Sequence, residues 1–282
     1  MKRISRRNFL KLTGGVVGAA IVGSALDALA TEPYWFKVTR PTVHLPKLLG
    51  AWAGVRIALL TDLHMDPRMS LRRVRRIVEL TNDQRPDLVV FTGDLTSHFQ
   101  FPAADLAAVL GGLSAPLGKF AVPGNHDYWT RLEKVAGCLR AGGFTMLVNS
   151  HRVLRRQDQP LVLAGLDDLW AGQPNVTAAL RGLEVAAAGA PRIALCHNPD
   201  YAEALADQPR VDLMLSGHTH GGQVKVPLGR RPVLPIDHAK YAAGLVAGPH
   251  CQVYTSVGLG MVGPHVRYNC RPEIAILTLQ AA

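Results

Sequence analysis

Five short polar motifs hold the residues of this chain that could do chemistry, and each follows an apolar, strand-like run. In chain order they are TDLH (Asp62, His64), TGDL (Asp94), PGNHD (Asn125, His126, Asp127), CHNPD (His197) and SGHTHGG (His218, His220). In α/β proteins the loops that form active sites collect at the carboxyl ends of strands. The five motifs together therefore predict one converging site.

The chemistry of this set indicates a metal centre. It consists of carboxylates, imidazoles and one amide, and no thiolate is obliged to take part. Such ligands suit divalent manganese, iron, zinc or cobalt. There are too many of them for one ion, so we expect two ions with a bridging carboxylate. Two ions about 3.5–4 Å apart form the clamp used for in-line displacement at phosphorus.

The stretch Ser216–Gln223, SGHTHGGQ, places two histidines one residue apart among small residues. Three glycines make a helix unfavourable. In an extended segment His218 and His220 would point to the same side and could approach one metal centre.

Apolar strand-like runs alternate with helix-like stretches along the chain. The runs lie at 55–60, 88–91, 120–122, 192–196 and 211–215, and the stretches lie near 71–80, 103–113, 130–141 and 176–187. This βαβα order predicts an α/β fold with helices on both outer faces. Residues 146–164 and the last 60 residues are richer in strand-like sequence, which favours a mixed sheet or two stacked sheets.

The complete motif set resembles the calcineurin-like metallophosphoesterases, whose pattern is D-x-H, G-D, G-N-H-D, a lone histidine and G-H-x-H. All five motifs occur in this order within residues 55–223. The resemblance implies a four-layer α/β/β/α sandwich of two mixed β-sheets flanked by helices, in agreement with the alternation above.

The resemblance also implies a ligand set for two divalent ions, manganese, iron or zinc. The first ion would take Asp62, His64, Asp94 and His220, and the second would take Asp94, Asn125, His197 and His218, so that Asp94 bridges. A metal-bridging hydroxide would hydrolyse phosphodiester bonds, and phosphomonoester bonds are a further candidate substrate. His126 would donate to a phosphoryl oxygen or protonate the leaving oxygen, and Asp127 would orient His126.

Finer similarity suggests a branch of this family. GHTHGGQ, GLDD (residues 165–168) and CHNPD resemble the bacterial exported or membrane-associated branch, which includes twin-arginine-exported phosphodiesterases and some lipid A precursor pyrophosphatases. A UDP-2,3-diacylglucosamine-type pyrophosphatase is therefore one alternative. A non-catalytic metal- or phosphate-binding protein is another, although such a protein would not need His126 and Asp127.

Residues 1–30 have the pattern of an export leader. A basic segment precedes an uncharged run from Leu12 to Leu26, and Ala28-Leu29-Ala30 offers a small-x-small cleavage site. SRRNFLK (residues 5–11) resembles the twin-arginine signal. We therefore expect a leader (1–30), an extended lead-in segment (31–54) and a metallophosphoesterase domain (55–282). The twin-arginine machinery would be a partner, and the domain would lie in the periplasm or on the outer face of the cytoplasmic membrane, free or tethered.

The charge balance suits an anionic small-molecule or envelope substrate. The formal net charge is +10, of which the leader's five basic residues and one acidic residue account for +4. The remainder is moderately basic, and no specific nucleic-acid binding is expected. No CxxC pair is present, so a cysteine zinc site is not expected; Cys251 and Cys270 could form a disulfide or remain free thiols.

Overall fold

Two β-sheets stack against each other and helices cover their outer faces in the computed structural model, which describes residues 5–226 and 233–282. The first sheet contains β1 (Lys37–Thr39), β2 (Thr42–Leu45), β3 (Arg56–Leu60), β4 (Leu88–Phe91), β5 (Lys119–Ala121), β6 (Thr145–Met146) and β13 (Glu273–Ala281). The second contains β7 (Ser150–Arg156), β8 (Gln159–Gly165), β9 (Arg192–Leu195), β10 (Leu213–Ser216), β11 (Gly244–Ala247) and β12 (Gln252–Thr255). The helices are α1 (Arg6–Leu26), α2 (Leu71–Asn82), α3 (Ala103–Gly111), α4 (Asn125–Thr130), α5 (Leu132–Ala141) and α6 (Val176–Ala179).

Both sheets are mixed, as the strand-rich C-terminal sequence suggested. In the first, the order is β1-β13-β3-β4-β5-β6, with β2 also paired to β13. The pairs β3–β4, β4–β5 and β5–β6 are parallel, and β13 runs antiparallel to β3. In the second, the order is β11-β12-β10-β9-β8-β7, with antiparallel pairs at both edges. The central strands of each sheet run parallel to one another, so β3, β4, β5, β9 and β10 end on one side of the sandwich.

Side-chain alternation in β3 shows how the layers pack. Ala58 and Leu60 contact the cluster under α2, α3 and α5, whereas Ile57 and Leu59 face the cluster between the two sheets. A third cluster covers the outer face of the second sheet. Because both faces of the strand are buried, β3 is apolar along its length instead of alternating. These layers confirm the predicted α/β/β/α sandwich.

One detail differs from the sequence-based expectation. The stretch 176–187 forms only the short α6 and a 3-10 turn at Val185–Ala187, not one helix. Of the two alternatives for Cys251 and Cys270, the structure has the free thiols: all four cysteines are buried and unpaired.

The N-terminal segment is an exposed helix followed by chain that packs on the domain. Helix α1 is 21 residues long, and none of its residues is buried. It is long and apolar enough to cross a membrane, a criterion that a signal sequence also meets. The lead-in segment supplies β1 and β2, which pair with β13 at the edge of the first sheet.

Candidate metal centre

The loops after five parallel strands bury the seven predicted ligands and bring five of them close together. All seven side chains are at most 5% exposed: Asp62, His64, Asp94, Asn125, His197, His218 and His220. Three groups of ligand atoms lie within 4.8 Å of one another: Asp62, His64 and His220; Asp62, Asp94 and His197; and His64, Asp94 and His126. His218 is in none of these groups of histidines and carboxylates, and its Nδ1 lies 3.2 Å from His197 Nε2.

Individual distances show that the ligand atoms face a common centre. His220 Nε2 lies 3.3 Å from Asp62 Oδ1, and His197 Nε2 lies 3.2 Å from Asp94 Oδ2. His64 Nε2 lies 3.5 Å from Asp94 Oδ2. Asp62 and Asp94 thus stand between the imidazoles, an arrangement that a shared or bridging carboxylate requires.

The remote nitrogens of two imidazoles are held by neighbouring polar groups. His197 Nδ1 lies 2.7 Å from the Thr92 carbonyl oxygen, and His64 Nδ1 lies 2.5 Å from Ser97 Oγ. Such contacts fix the orientation of the ring and direct its other nitrogen towards a metal. Nε2 is the ligand atom that both residues offer.

The ligand-bearing turns are backbone-strained. Five ligands have positive φ angles between 45° and 70°, a region that side-chain-bearing residues rarely adopt: Asp62, His64, Asp94, His218 and His220. Each such residue costs on the order of 1–3 kcal/mol, and such strain concentrates at functional sites. The SGHTHGG segment is not extended, because β10 ends at Ser216 and a 3-10 turn starts at His220. The two rings still reach the centre.

Gly217 allows the close approach of this turn. A Cβ atom at position 217 would overlap Asp62 Oδ2 and Thr61 Oγ1. The His218 backbone N–H instead donates to both oxygens of Asp62, at 3.1 Å each. The glycine is needed for space beside the first ligand.

The residues present fit the binding of divalent metal. Asn125 Oδ1 is buried and has no hydrogen-bond partner among the described residues. An uncompensated buried amide oxygen is unfavourable, and a cation would satisfy it. The donor set of carboxylate, amide and imidazole groups is the type that borderline and hard divalent ions prefer.

Electrostatics in the cluster favour the protonation states that metal ligands need at His218, His220 and Asp94, but not at His197, whose pKa is raised. Burial, reinforced by the charge of His197, lowers the pKa of His218 to about 3, and burial lowers that of His220 to about 4. Burial alone would raise the pKa of Asp94, but His197 and His64 bring it below its usual value. Against the effect of burial, Asp94 raises the pKa of His197 to about 10. A cation bound there would replace the proton between these two residues.

Comparisons with known proteins agree with this geometry. The profile of the calcineurin-like phosphoesterase family matches residues 55–222. The chain belongs to the calcineurin-like phosphoesterases. It is therefore a hydrolase that acts on phosphoester bonds, in a family that typically binds divalent metals.

Three relatives are similar over nearly all of this phosphoesterase. Phosphodiesterase YaeI of Escherichia coli (strain K12) is 35% identical over 98% of this chain and 99% of its own length. The uncharacterized metallophosphoesterase YkuE of Bacillus subtilis (strain 168) is 33% identical over 100% of this chain and 99% of its own. The transmembrane protein with metallophosphoesterase domain of Danio rerio is 34% identical over 95% of this chain and 62% of its own.

His126 lies at the rim of the phosphoesterase centre. Its backbone N–H donates to Asp94 Oδ1 at 2.9 Å, and its ring is only partly buried. The ring centroid lies 4.8 Å from that of His64 and 4.9 Å from that of Trp129. Burial lowers the pKa of His126. The imidazole can therefore reach both the ligand cluster and a molecule that enters from solvent.

Asp127 supports the loops and does not touch the His126 ring. Its Oδ2 accepts from the backbone N–H groups of Asp94 at 2.9 Å and Gly124 at 3.0 Å, and its Oδ1 accepts from Leu95 N–H at 2.8 Å. These described contacts occupy both oxygens with backbone amides. The predicted role of orienting His126 through a side-chain contact therefore has no counterpart in the described geometry. Asp127 instead ties the Asp94 loop to the Asn125 loop.

Two tryptophans flank the centre, and sequence reasoning overlooked one of them. Trp129 and Trp170 are 55% and 52% exposed, and their ring centroids lie 6.4 Å apart. Trp170 also contacts His218 edge-on, with ring centroids 4.4 Å apart. Trp129 lies two residues after the PGNHD motif, but Trp170 has no motif of its own, and only the folding of the β8–α6 loop brings it to the site.

Arg267 is a second residue that the motifs did not indicate. Its guanidinium is fully buried and donates to the carbonyl oxygens of Val257, Gly258, Gly260 and Cys270. The loop that it holds packs on Asp62, because a Cβ atom at Gly258 would lie 2.7 Å from Asp62 Cβ. Arg267 is therefore a positioning residue for the ligand loop after β3.

Four further polar residues near the motifs, His98, Asp66, Asn149 and Asp168, have supporting or unrelated roles. His98 is exposed and belongs to none of the three ligand groups. Asp66 Oδ1 accepts from the backbone N–H groups of Arg68 and Met69 and closes a turn. Asn149 and Asp168 hold backbone N–H groups of the loop that carries Trp170.

Proposed function

We propose that this phosphoesterase hydrolyses phosphodiesters at a centre that holds two divalent ions. The observation that carries the proposal is the buried convergence of Asp62, Asp94 and their imidazole neighbours, with three overlapping ligand groups. One ion does not account for seven ligand residues, whereas two ions that share Asp94 do. A relative named as a phosphodiesterase, 35% identical over 98% of this chain, supports the choice of diester substrates.

The proposed division of ligands follows the resemblance, and the closeness of Asp62, His64 and His220 supports the first set. Asp62, His64 and His220 would hold the first ion, and Asn125, His197 and His218 would hold the second, with Asp94 shared. Bound there, the ions would polarise the phosphoryl oxygens and lower the pKa of a coordinated water. Manganese, iron and zinc all fit this donor set.

His126 would assist the departure of the leaving group. Its ring reaches the rim of the cluster while its backbone is fixed by Asp94 at 2.9 Å. From this position the imidazole can donate a proton or a hydrogen bond to an ester oxygen that faces solvent. A diester benefits from this assistance because an alkoxide is a poor leaving group.

The test is hydrolysis of phosphodiester and phosphomonoester panels by metal-depleted protein to which Mn²⁺, Fe²⁺ or Zn²⁺ is returned. We expect a chelator to abolish activity and a returned ion to restore it. His126→Ala should lower kcat by about 10²–10⁴-fold while metal content stays at two ions per chain. His98→Ala is the matched control, because this histidine is exposed and outside the ligand groups. Saturation with a single ion at full activity would contradict the two-ion centre.

We propose further that the chain is exported through the twin-arginine pathway and stays on the outer face of the cytoplasmic membrane. The SRRNFLK motif and the exposed helix α1 support this. The small-x-small cleavage site lies in a segment that packs on the domain, which supports retention of the leader. Ala28 is buried, and its carbonyl oxygen accepts from Arg267 N–H at 3.0 Å. Arg6→Lys with Arg7→Lys should block export in cell fractionation, whereas the native chain should resist carbonate extraction and keep its leader by mass spectrometry.

A further inference from the structure

Helix α2 carries four arginines on two consecutive turns, and we call Arg72, Arg73, Arg75 and Arg76 the arginine patch. Val74, Ile77 and Val78 bury the opposite face of the helix, while Arg72, Arg75 and Arg76 are exposed. Like charges three and four positions apart destabilise a helix. A negatively charged partner would remove this repulsion.

Few acidic groups neutralise the arginine patch. Arg76 pairs with Glu79 at 3.2 Å on the exposed surface. Within residues 5–226 and 233–282, Arg72, Arg73 and Arg75 have no carboxylate within 4.0 Å. The patch therefore keeps most of its positive charge.

The arginine patch lies where the chain leaves α1 and joins the domain. The Arg73 guanidinium stands 3.5 Å from the centre of the Tyr34 ring. A groove of 480 Å³ separates the two segments and is lined by the four arginines, Ala30, Tyr34, Phe36 and Glu79. A basic groove thus opens beside the C-terminal end of a helix long enough to span a membrane.

The end of α1 is held against the domain by specific contacts. The Glu32 carboxylate is buried and accepts from the backbone N–H groups of Asn269, at 2.9 Å, and Cys270. The Ala28 carbonyl oxygen accepts from Arg267 N–H. The helix therefore leaves the domain at a defined point next to the arginine patch.

Aromatic residues at this junction are typical of a membrane–water interface. Tyr34, Trp35 and Phe36 follow one another directly, and Trp35 is 58% exposed with the Arg271 guanidinium 3.7 Å from its ring centre. Tyrosine and tryptophan concentrate at headgroup level, and basic side chains nearby bind anionic headgroups.

We propose that the arginine patch binds the phosphate headgroups of anionic phospholipids in the membrane that holds α1. The guanidinium groups offer paired N–H donors that match phosphate oxygens. Together with α1, the patch would provide a second attachment point and fix the orientation of the domain on the membrane. The proposal rests on the proposed membrane tether and is independent of the hydrolytic activity.

The experiment uses the full chain reconstituted in phosphatidylcholine vesicles with or without 30% phosphatidylglycerol. Arg75→Cys introduces one accessible thiol, because the four native cysteines are buried. A water-soluble maleimide should label position 75 about fivefold more slowly in the anionic vesicles, because the arginines that remain hold this face of α2 at the surface and one basic side chain there contributes about 1 kcal/mol. In 1 M salt, where the Debye length is about 3 Å, the difference should disappear.

Arg152→Cys is the matched control, because Arg152 is exposed on the edge strand β7 of the second sheet. Its labelling should be the same in both vesicles. Arg72→Cys should repeat the result at position 75 and guards against a local effect of one substitution. Equal labelling of position 75 in both vesicles would overturn the proposal, as would an equal slowing at position 152. Carbonate extraction tests the tether separately: a chain that leaves the membrane refutes the tether and this proposal, whereas hydrolysis of phosphodiesters would be unaffected.

Discussion

Asp127→Asn separates a loop-positioning role for this carboxylate from a role through His126. One oxygen accepts from two backbone N–H groups, and the other accepts from Leu95 N–H at 2.8 Å. The amide oxygen of an asparagine can still accept from the Asp94 and Gly124 N–H groups, but its NH₂ group must then turn towards Leu95 N–H. Two buried donors then face each other without an acceptor, at a cost of about 1–3 kcal/mol each.

A second effect partly offsets this loss. Burial and the charge of Asp94 raise the pKa of Asp127 to about 7, so its ionised form is already disfavoured in the fold. Removal of the charge relieves that repulsion. We therefore expect the free energy of unfolding to fall by about 2–4 kcal/mol, below the sum of the two donor penalties.

Thermal unfolding of the metal-free protein measures the effect. At about 2–4 °C per kcal/mol for a domain of this size, Tm should fall by about 5–15 °C. Because the loop that carries Asp94 would lose its anchor at the Leu95 N–H, the affinity for Mn²⁺ should also fall about 10–100-fold by titration. His126→Ala is the control, and its stability should stay within about 1 kcal/mol of the native protein because the ring is only partly buried.

The refuting result is specific. If Asp127→Asn unfolds at the native Tm and binds Mn²⁺ normally, but shifts the pH profile of kcat as His126→Ala does, the carboxylate acts through the imidazole. The positioning role derived from the three amide contacts would then be wrong.

Three further predictions concern the glycine turn, the aromatic rim and the core. Gly217→Ala should weaken Mn²⁺ binding at least about tenfold, since its Cβ atom would overlap Asp62 Oδ2; native affinity would exclude this steric role. Trp129→Ala and Trp170→Ala should raise KM for aryl phosphodiesters about 3–10-fold with metal affinity unchanged, because both exposed rings stand at the mouth of the centre; equal KM values would remove them from the substrate site. Leu59→Ala should lower the free energy of unfolding by about 2–5 kcal/mol in urea titration, because Leu59 is 0% exposed between the sheets; a loss below 1 kcal/mol would mean that the sheets repack.

The metal centre was predictable because its signals are local. Each proposed ligand lies within four residues of the end of a strand, so one motif specifies both the residue type and its place near a strand end. Asp62 and His218 are 156 positions apart and follow strands of different sheets, yet the His218 N–H donates to the Asp62 carboxylate. The alternation of apolar runs likewise indicated the layers.

The conformation of the turns could not be predicted from the sequence. An extended segment would have directed His218 and His220 to one side by alternation, but both residues adopt positive φ angles. The chain accepts this strain because Gly217 lets the turn press against Asp62 and because the contacts of the whole centre hold it in place.

The sequence by itself determined the ligand types, the layered fold and the export-leader pattern, since these depend on residues near one another in the chain. Only the tertiary structure decided that Asp127 binds backbone amides, that Trp170 joins the rim and that Arg267 supports the Asp62 loop. It also placed the arginine patch beside the end of α1, although Tyr34 and Arg73 stand 39 positions apart. These contacts join segments whose pairing no local pattern encodes, because they arise when the loops of two packed sheets close over the same space.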